Sequence, residues 1–295
     1  TIKGAGEQIA RDFLRASISL LPHITGKRKF DITVETELKY SGAPGVALAP
    51  LETLLKASSF FPTVVTSISV TYDPSSAIVS GFDGASIATP MTCEIYVDGP
   101  TTGYKLIAKD ALVKSWRLSN NAGEYGTWEF TIEAVWHAAA TDAAFPTTTF
   151  IGTKPQIMQN STVTIGGTAV CIKNLEIGCE LDVTEYECSN AAFGLKALAT
   201  TGRKCTAKAD PIILAAATHD FFDKYFTGTT MILSAAWTIE NNATAQKLTI
   251  TAPLAQYSSV GIGDRGGLRT IPVDLVLGAT ESPGDDELKL KFESA

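Results

Sequence analysis

Alternation of apolar and polar residues at period two is the feature that most constrains this chain. Residues 171–183 place Cys171, Leu175, Ile177, Cys179, Leu181 and Val183 on one side, and Asn174, Glu176, Glu180 and Asp182 on the other. Successive side chains of a strand point to opposite faces, so such a run reads as a long half-buried β-strand. Residues 30–38 set Phe30, Ile32, Val34 and Leu38 against Asp31, Thr33, Glu35 and Glu37, and residues 128–136 set Trp128, Phe130, Ile132, Ala134 and Trp136 against Glu129, Thr131 and Glu133. The Glu-bearing sides of both strands read as solvated faces. Shorter strands follow the same rule around Ile68–Tyr72, Cys93–Val97, Leu248–Ile250 and Ile271–Leu277. Helical signals are few. Pro50 opens a short helix through Leu51, Leu54 and Leu55, and Thr218 opens another whose stripe is Phe221, Phe222 and Tyr225, closed by Gly228.

These landmarks recur in order. Thr25-Gly26-Lys27-Arg28-Lys29 leads into a strand, and so does Thr201-Gly202-Arg203-Lys204. A short helix follows each, then a strand at 67–72 or 231–239, then another at 92–98 or 247–252. Each half closes with a two-stranded excursion through a Gly-rich tip, Asn120 to Gly123 or Gly261 to Gly267, and a returning strand at 127–136 or 268–277. Such recurrence predicts a duplication. The expected fold is mainly β: two similar β-sandwich or half-barrel domains at 25–150 and 151–280, each with one short helix. Residues 1–24 form an arm and 281–295 a tail in this scheme, with Thr280 to Asp286 as a mobile linker.

Composition narrows the function. Hydrophobic residues make up 45% of the 295, ample for a core, while only 19% are charged. The formal net charge of −7 argues against tight phosphate binding. No run approaches the ~20 apolar residues of a membrane helix. Residues 1–24 carry Lys3, Glu7, Arg11, Asp12 and Arg15, unlike a secretory signal. Cys93, Cys171, Cys179, Cys188 and Cys205 are odd in number and widely spaced, which predicts buried free thiols in a reducing compartment.

No catalytic constellation emerges, and the expectation is no enzyme, no cofactor and no metal. Gly261-Ile262-Gly263-Asp264-Arg265-Gly266 spells G-x-G-x-x-G, but a β pattern containing Pro272 follows it where a dinucleotide site needs a helix, so a hairpin tip is expected. His23, His137 and His219 lie far apart, and Asp285-Asp286-Glu287 is a short acidic run with little claim to a metal. Trp116, Trp128, Trp136 and Trp237 fit a core or a subunit interface better than a sugar platform.

Several segments, taken in order, resemble the phage tail tube proteins of long, non-contractile-tailed phages. They are the stretch Ala10-Arg11-Asp12-Phe13-Leu14-Arg15, the basic lead into the strand Gly26 to Leu38, and Pro50-Leu51-Glu52-Thr53-Leu54-Leu55-Lys56-Ala57. Tyr72-Asp73-Pro74-Ser75-Ser76, Ile95-Tyr96-Val97-Asp98-Gly99, Cys171-Ile172-Lys173-Asn174-Leu175-Glu176-Ile177 and Gly263-Asp264-Arg265-Gly266-Gly267 continue the series. Ala108-Lys109-Asp110-Ala111 stands where that family has Gly-Ala-Arg-Gly.

The resemblance implies a virion structural subunit, assembled in the host bacterial cytoplasm, whose sheets join edge to edge around a channel that DNA traverses without specific binding. It also implies stacked rings and, as partners, a tape-measure protein and a tail terminator. Two fused domains predict three chains per ring with pseudo-sixfold symmetry, the alternative being six chains. The closing hairpins nominate Trp116, Trp128, Phe130, Ile132, Tyr257, Leu268 and Val273 as assembly contacts. A two-domain β adhesin or carbohydrate-binding module is the competing reading, with Asn160-Ser161-Thr162 and Asn242-Ala243-Thr244 as its sequons.

Overall fold

A computed structural model describes residues 1–9, 22–39, 44–47, 49–79, 86–97, 103–147, 154–240, 246–280 and 284–294. Segment Ala10 to Arg15, the Asp98-Gly99 pair and the sequon at Asn242 fall outside them. The fold is mainly β, a large antiparallel sheet folded over a core without closing into a barrel, and two short helices flank it.

The first half runs β1 (Ile2–Ile9), β2 (Ile24–Glu37), α1 (Ala49–Lys56), β3 (Phe60–Val65), β4 (Ser69–Pro74), β5 (Met91–Val97), β6 (Gly103–Asn121), β7 (Thr127–Trp136) and β8 (Thr141–Ala143). The second runs β9 (Thr162–Ile165), β10 (Thr168–Ala169), β11 (Asn174–Glu187), β12 (Leu195–Ala209), α2 (Phe221–Phe226), β13 (Met231–Glu240), β14 (Gln246–Val260), β15 (Gly263–Arg265), β16 (Leu268–Thr270), β17 (Val273–Gly278) and β18 (Lys289–Ser294). The alternating runs fold as strands because one side can be buried while the other stays polar. Asp220 caps α2 by accepting from the Asp223 amide.

Strand order repeats across the chain. The first half pairs as β1-β2-β7-β6-β5 and the second as β11-β12-β17-β14-β13, with β8 and β18 on the outer side of β6 and β14. Register repeats as well. Ile2 faces Ile32 and Phe30 faces Ala134 in one half; Ile177 faces Ala207 and Cys205 faces Leu277 in the other. Three register shifts fall at matching points. They lie at Gly6/Gln8 and Asp182/Val183, at Val113/Ser115 and Tyr257/Ser259, and at Met91/Cys93 and Met231/Leu233. A bulge sets local twist and is a specified feature of a sheet.

This register differs from the order expected from sequence. β5 at 91–97, not the strand near 67–72, occupies the place of β13, and 246–252 opens the long β14, which matches β6. The hairpin β3-β4 has no counterpart; it crosses to pair with β18 of the second half.

The core is one cluster running through both halves, with Trp116, Phe60 and Phe130 in the first and Ile250, Leu275 and Leu290 in the second. Residues 281–283 of the expected mobile linker lie outside the described residues, whereas the expected tail beyond them is built into the body: Leu288, Leu290 and Phe292 are buried, and β18 lies between β14 and β4. The cysteines also depart from expectation. Cys179 and Cys205 face each other on β11 and β12 with Cα atoms 4.1 Å apart and form a disulfide, while Cys171 is exposed ahead of its strand. Two cysteines in far-apart segments became directly opposed through strand register, which spacing alone does not reveal.

Candidate assembly surfaces

The halves meet at a seam within the sheet. Residues 115–121 of β6 pair with 174–180 of β11, bringing Leu118 opposite Ile177, Trp116 opposite Cys179 and Arg117 opposite Gly178. Gly178 is required by closeness, since a Cβ there would sit 2.8 Å from the Trp116 carbonyl oxygen. The seam makes β1-β2-β7-β6-β11-β12-β17-β14 a single run of strands.

One side of that run is largely polar, interrupted by Leu112, Val135 and Val276. Cross-strand register lines up Glu35, Glu129 and Arg117 on β2, β7 and β6, then Glu176, Lys208 and Asp274 on β11, β12 and β17. Arg117 donates to Glu129 at 2.6 Å and lies 3.5 Å from Glu176, and the Glu129 hydrogen bond chiefly holds its guanidinium above its ordinary pKa. A depression of about 500 Å³ on this face is lined by Arg117, Glu129, Glu176, Glu180, Lys204 and Asp274, among others. Carboxylates outnumber cations in that lining. Arg117, Lys204 and Lys208 are the cations there, set among Glu129, Glu176, Glu180 and Asp274.

Six of the seven residues nominated as assembly contacts are taken up by the chain's own core. Trp116, Trp128, Phe130, Ile132, Tyr257 and Val273 are all buried. Trp128 lies 5.3 Å from Trp116 and 5.8 Å from Phe130 between ring centroids, and the Tyr257 hydroxyl lies 2.9 Å from His219 Nε2. Long alternating hairpins do carry a buried stripe, but the covering elements belong to the same molecule. Leu268 alone is exposed, on the β15-β16 tip. That tip is also the fate of the G-x-G-x-x-G spelling: it turns from strand to strand, with Gly266 and Gly267 in the left-handed region at φ +60° and +91°.

Two ionic clasps fix the polar frame. Lys27 binds Glu185 and Glu187, while Lys29 bridges Glu185 at 2.6 Å and Glu133 at 2.5 Å, which ties β2 of the first half to β11 of the second. Glu133, expected on a solvated face, is buried; Lys114 approaches it at 2.9 Å from the other side. Burial pushes its carboxyl up, but the hydrogen bonds from Lys29 and Lys114 more than offset this and hold it below the usual range. The second clasp centres on Arg203, whose side chain is only 6% exposed and donates to Asp285 at 2.6 Å, to Glu287, and to the Ser75 carbonyl at 2.6 Å. Asp285 also accepts from the Ser76 amide at 2.8 Å, so the acidic run pins chain segments together.

Sheet edges remain open. Among the described residues, β1 pairs only with β2, and β14 beyond Ala255 pairs only with β17. These edges carry weak alternation in sequence, which is why they escaped notice: β1 reads IKGAGEQI, with two glycines and no stripe. An unpaired edge is an interface in waiting unless something blunts it. No group of three or more His, Cys, Asp or Glu side chains placed to hold a metal occurs among the described residues.

Compared with known proteins, residues 2–283 match the family model described as "Phage tail tube protein". None of the curated proteins matches the chain.

Proposed function

The chain belongs to the phage tail tube protein family and is a structural component of the virion tail that self-assembles into its tube; from that premise we propose that each chain supplies two equivalent wall units, so that three chains close a ring of pseudo-sixfold symmetry. The observation that carries this reading is the repeated frame, with the same strand order and three coincident register shifts in both halves. Closed symmetry repeats one interface around a ring. A chain with two like units instead alternates an internal seam, β6 on β11, with an external one.

Rings stack into the tube, and the polar side of the eight-strand run faces the channel. An acid-rich, hydrated lining lets DNA pass without being held. The tape-measure protein and tail terminator are the partners, and assembly takes place in the host cytoplasm. A structural family of this kind points to a non-enzymatic role. No observation favours the adhesin or carbohydrate-binding alternative: Trp116, Trp128 and Trp237 are buried, and Trp136 is overlaid by Arg28 at 4.9 Å.

Electron cryo-microscopy of tubes grown from the purified chain tests the reading. Three chains per ring with both halves in the wall is the expected result. Six identical chains per ring, with one half facing solvent, would falsify it. So would a strongly basic lumen for the channel assignment.

A further inference from the structure

We infer that a second copy of this chain docks on β1 through the outer edge of β14, in the register that β6 already uses on β11. The inference rests on the reading that the two halves are equivalent wall units. Register carries each position of the internal seam to its counterpart. Ile2 pairs with Ile32 as Ile177 pairs with Ala207, so β1 stands where β11 stands. Val260 pairs with Val273 and Ser259 with Asp274, as Trp116 pairs with Phe130 and Ser115 with Thr131, so β14 stands where β6 stands. The outer seam therefore sets Ile262 against Ile2, Gly261 against Lys3 and Val260 against Gly4 in one antiparallel ladder.

Exposure fits an interface that one chain cannot complete. Ile177 and Leu118, the internal pair, are each 1% exposed, whereas Ile2 is 44% and Ile262 is 70% exposed. Apolar side chains at the same place in the frame are covered where a partner strand exists and bare where it does not.

Side-chain sizes are complementary too. Arg117 faces Gly178 inside, a cation opposite a glycine; outside, Lys3 faces Gly261, with the two roles exchanged between strands. Bulky Trp116 faces Cys179 inside, and outside Val260 faces Gly4, again the larger residue on the β6-like strand. Beside β1 lies a cavity of about 460 Å³ lined by Ile2, Ile32, Val34, Leu54, Ile95 and Ile132, among others. Ile262 of the docking copy enters it, while main-chain bonds join the strands.

Three measurements decide the matter. Tubes of the full chain carrying Ile2→Cys and Ile262→Cys together are oxidised and run without reductant. A cross-linked ladder ending at three chains, absent from either single variant, is expected; the same pattern from a single variant, or none from intact tubes, overturns the seam. Ile262→Lys alters a residue that is bare in the free chain, so the monomer should melt as before while tube yield falls at least tenfold; normal tubes overturn the proposal. The unmodified tube provides a check free of substitutions, with Cα atoms of Ile2 and the neighbour's Ile262 expected ~5 Å apart. Three-chain rings with β1 paired elsewhere sink the seam and leave the two-unit reading standing. Six-chain rings that still pair β1 with β14 keep the seam and sink that reading.

Discussion

The two halves share a frame and fill it differently. At matching positions the first half carries Trp116, Trp128 and Phe130, and the second carries Val260, Ile271 and Val273. Trp128 stacks on Phe130 and leans against Trp116, which Phe60 meets edge-on with centroids 5.5 Å apart. The second half fills the matching positions with aliphatic residues, places its buried rings Phe221, Trp237 and Tyr257 elsewhere, and has a cystine at Cys179 and Cys205. Arg28 and Arg203 also share a position; Arg28 lies 3.7 Å from the Phe193 ring centroid, and Arg203 is gripped by two carboxylates. The three rings sit on β6 and β7, beside the internal seam, whereas their counterparts Val260, Ile271 and Val273, toward the open edge, are aliphatic. Backbone register thus dictates which positions are buried, while the neighbour present at each position dictates the volume.

Truncation should separate the halves most sharply. Phe130→Ala leaves a ring-sized void in a stack and should cost ~3–5 kcal/mol, against about 2 kcal/mol for Val273→Ala, measured by denaturant unfolding. Phe130→Asp adds an unpaired buried carboxylate, and no folded chain should remain to assemble. Equal costs for the two alanine variants would break the contrast.

Comparable in size is the loss of the buried clasp. Arg203→Ala leaves Glu287 buried without its partner and should cost ~3–5 kcal/mol, whereas Lys27→Ala, at a solvent-exposed clasp, should cost far less. Chemical denaturation of both variants checks the ranking.

Reduction tests the cystine. A closed loop with a sequence separation of 26 residues should contribute ~3 kcal/mol, so reductant or Cys205→Ser should lower the melting temperature. An unchanged melt would mean that the two thiols are unlinked.

Acid gives the smallest effect and separates the buried histidine from the ionic clasp by pH. Burial, and to a lesser degree the Lys224 charge, hold the His219 pKa below its ordinary value of 6.5. Its contribution is complete above about pH 6.5 and is lost as pH falls through the lowered folded value. Hydrogen bonds from Lys27 and then Lys29 lower Glu185, and Glu133 is lowered despite its burial. Their contribution holds above about pH 4.5 and fades only in stronger acid. Melting temperatures should therefore drop first in mildly acidic buffer, and His219→Gln should remove that first step while leaving the second.

Much of this architecture was legible in the sequence. Phe30, Ile32, Phe130, Leu175 and Leu275 could be placed on buried faces because a strand's two sides answer to different solvents. The short helices at Pro50 and Phe221 were legible in position, but Asp220 rather than Thr218 caps the second, and of the expected stripe Phe221, Phe222 and Tyr225 only Phe221 is buried. Glu133 was not, since alternation assigns it to water and only the approach of Lys29 and Lys114 from other strands makes burial tolerable. β1 was missed because Gly4 and Gly6 weaken any local preference, leaving its conformation to pairing with β2. The nominated assembly contacts lie mostly in the chain's own core for a related reason: an apolar stripe shows that something covers it, but whether that cover is the same molecule or another depends on long-range topology. Equivalence between strands depended on register shifts, which appear only once both partners are in place.

One further consequence concerns the order of synthesis. The first half's β4 pairs with β18, and Ser76 reaches Asp285 across a sequence separation of 209 residues. Closing so distant a contact costs chain entropy before any reward, which slows folding. On the ribosome, β3 and β4 emerge long before their partner strand exists. A growing chain therefore lacks a finished body until β18 has been made, so unfinished copies are poorly shaped to join a wall, and completeness of the subunit is checked by its own topology.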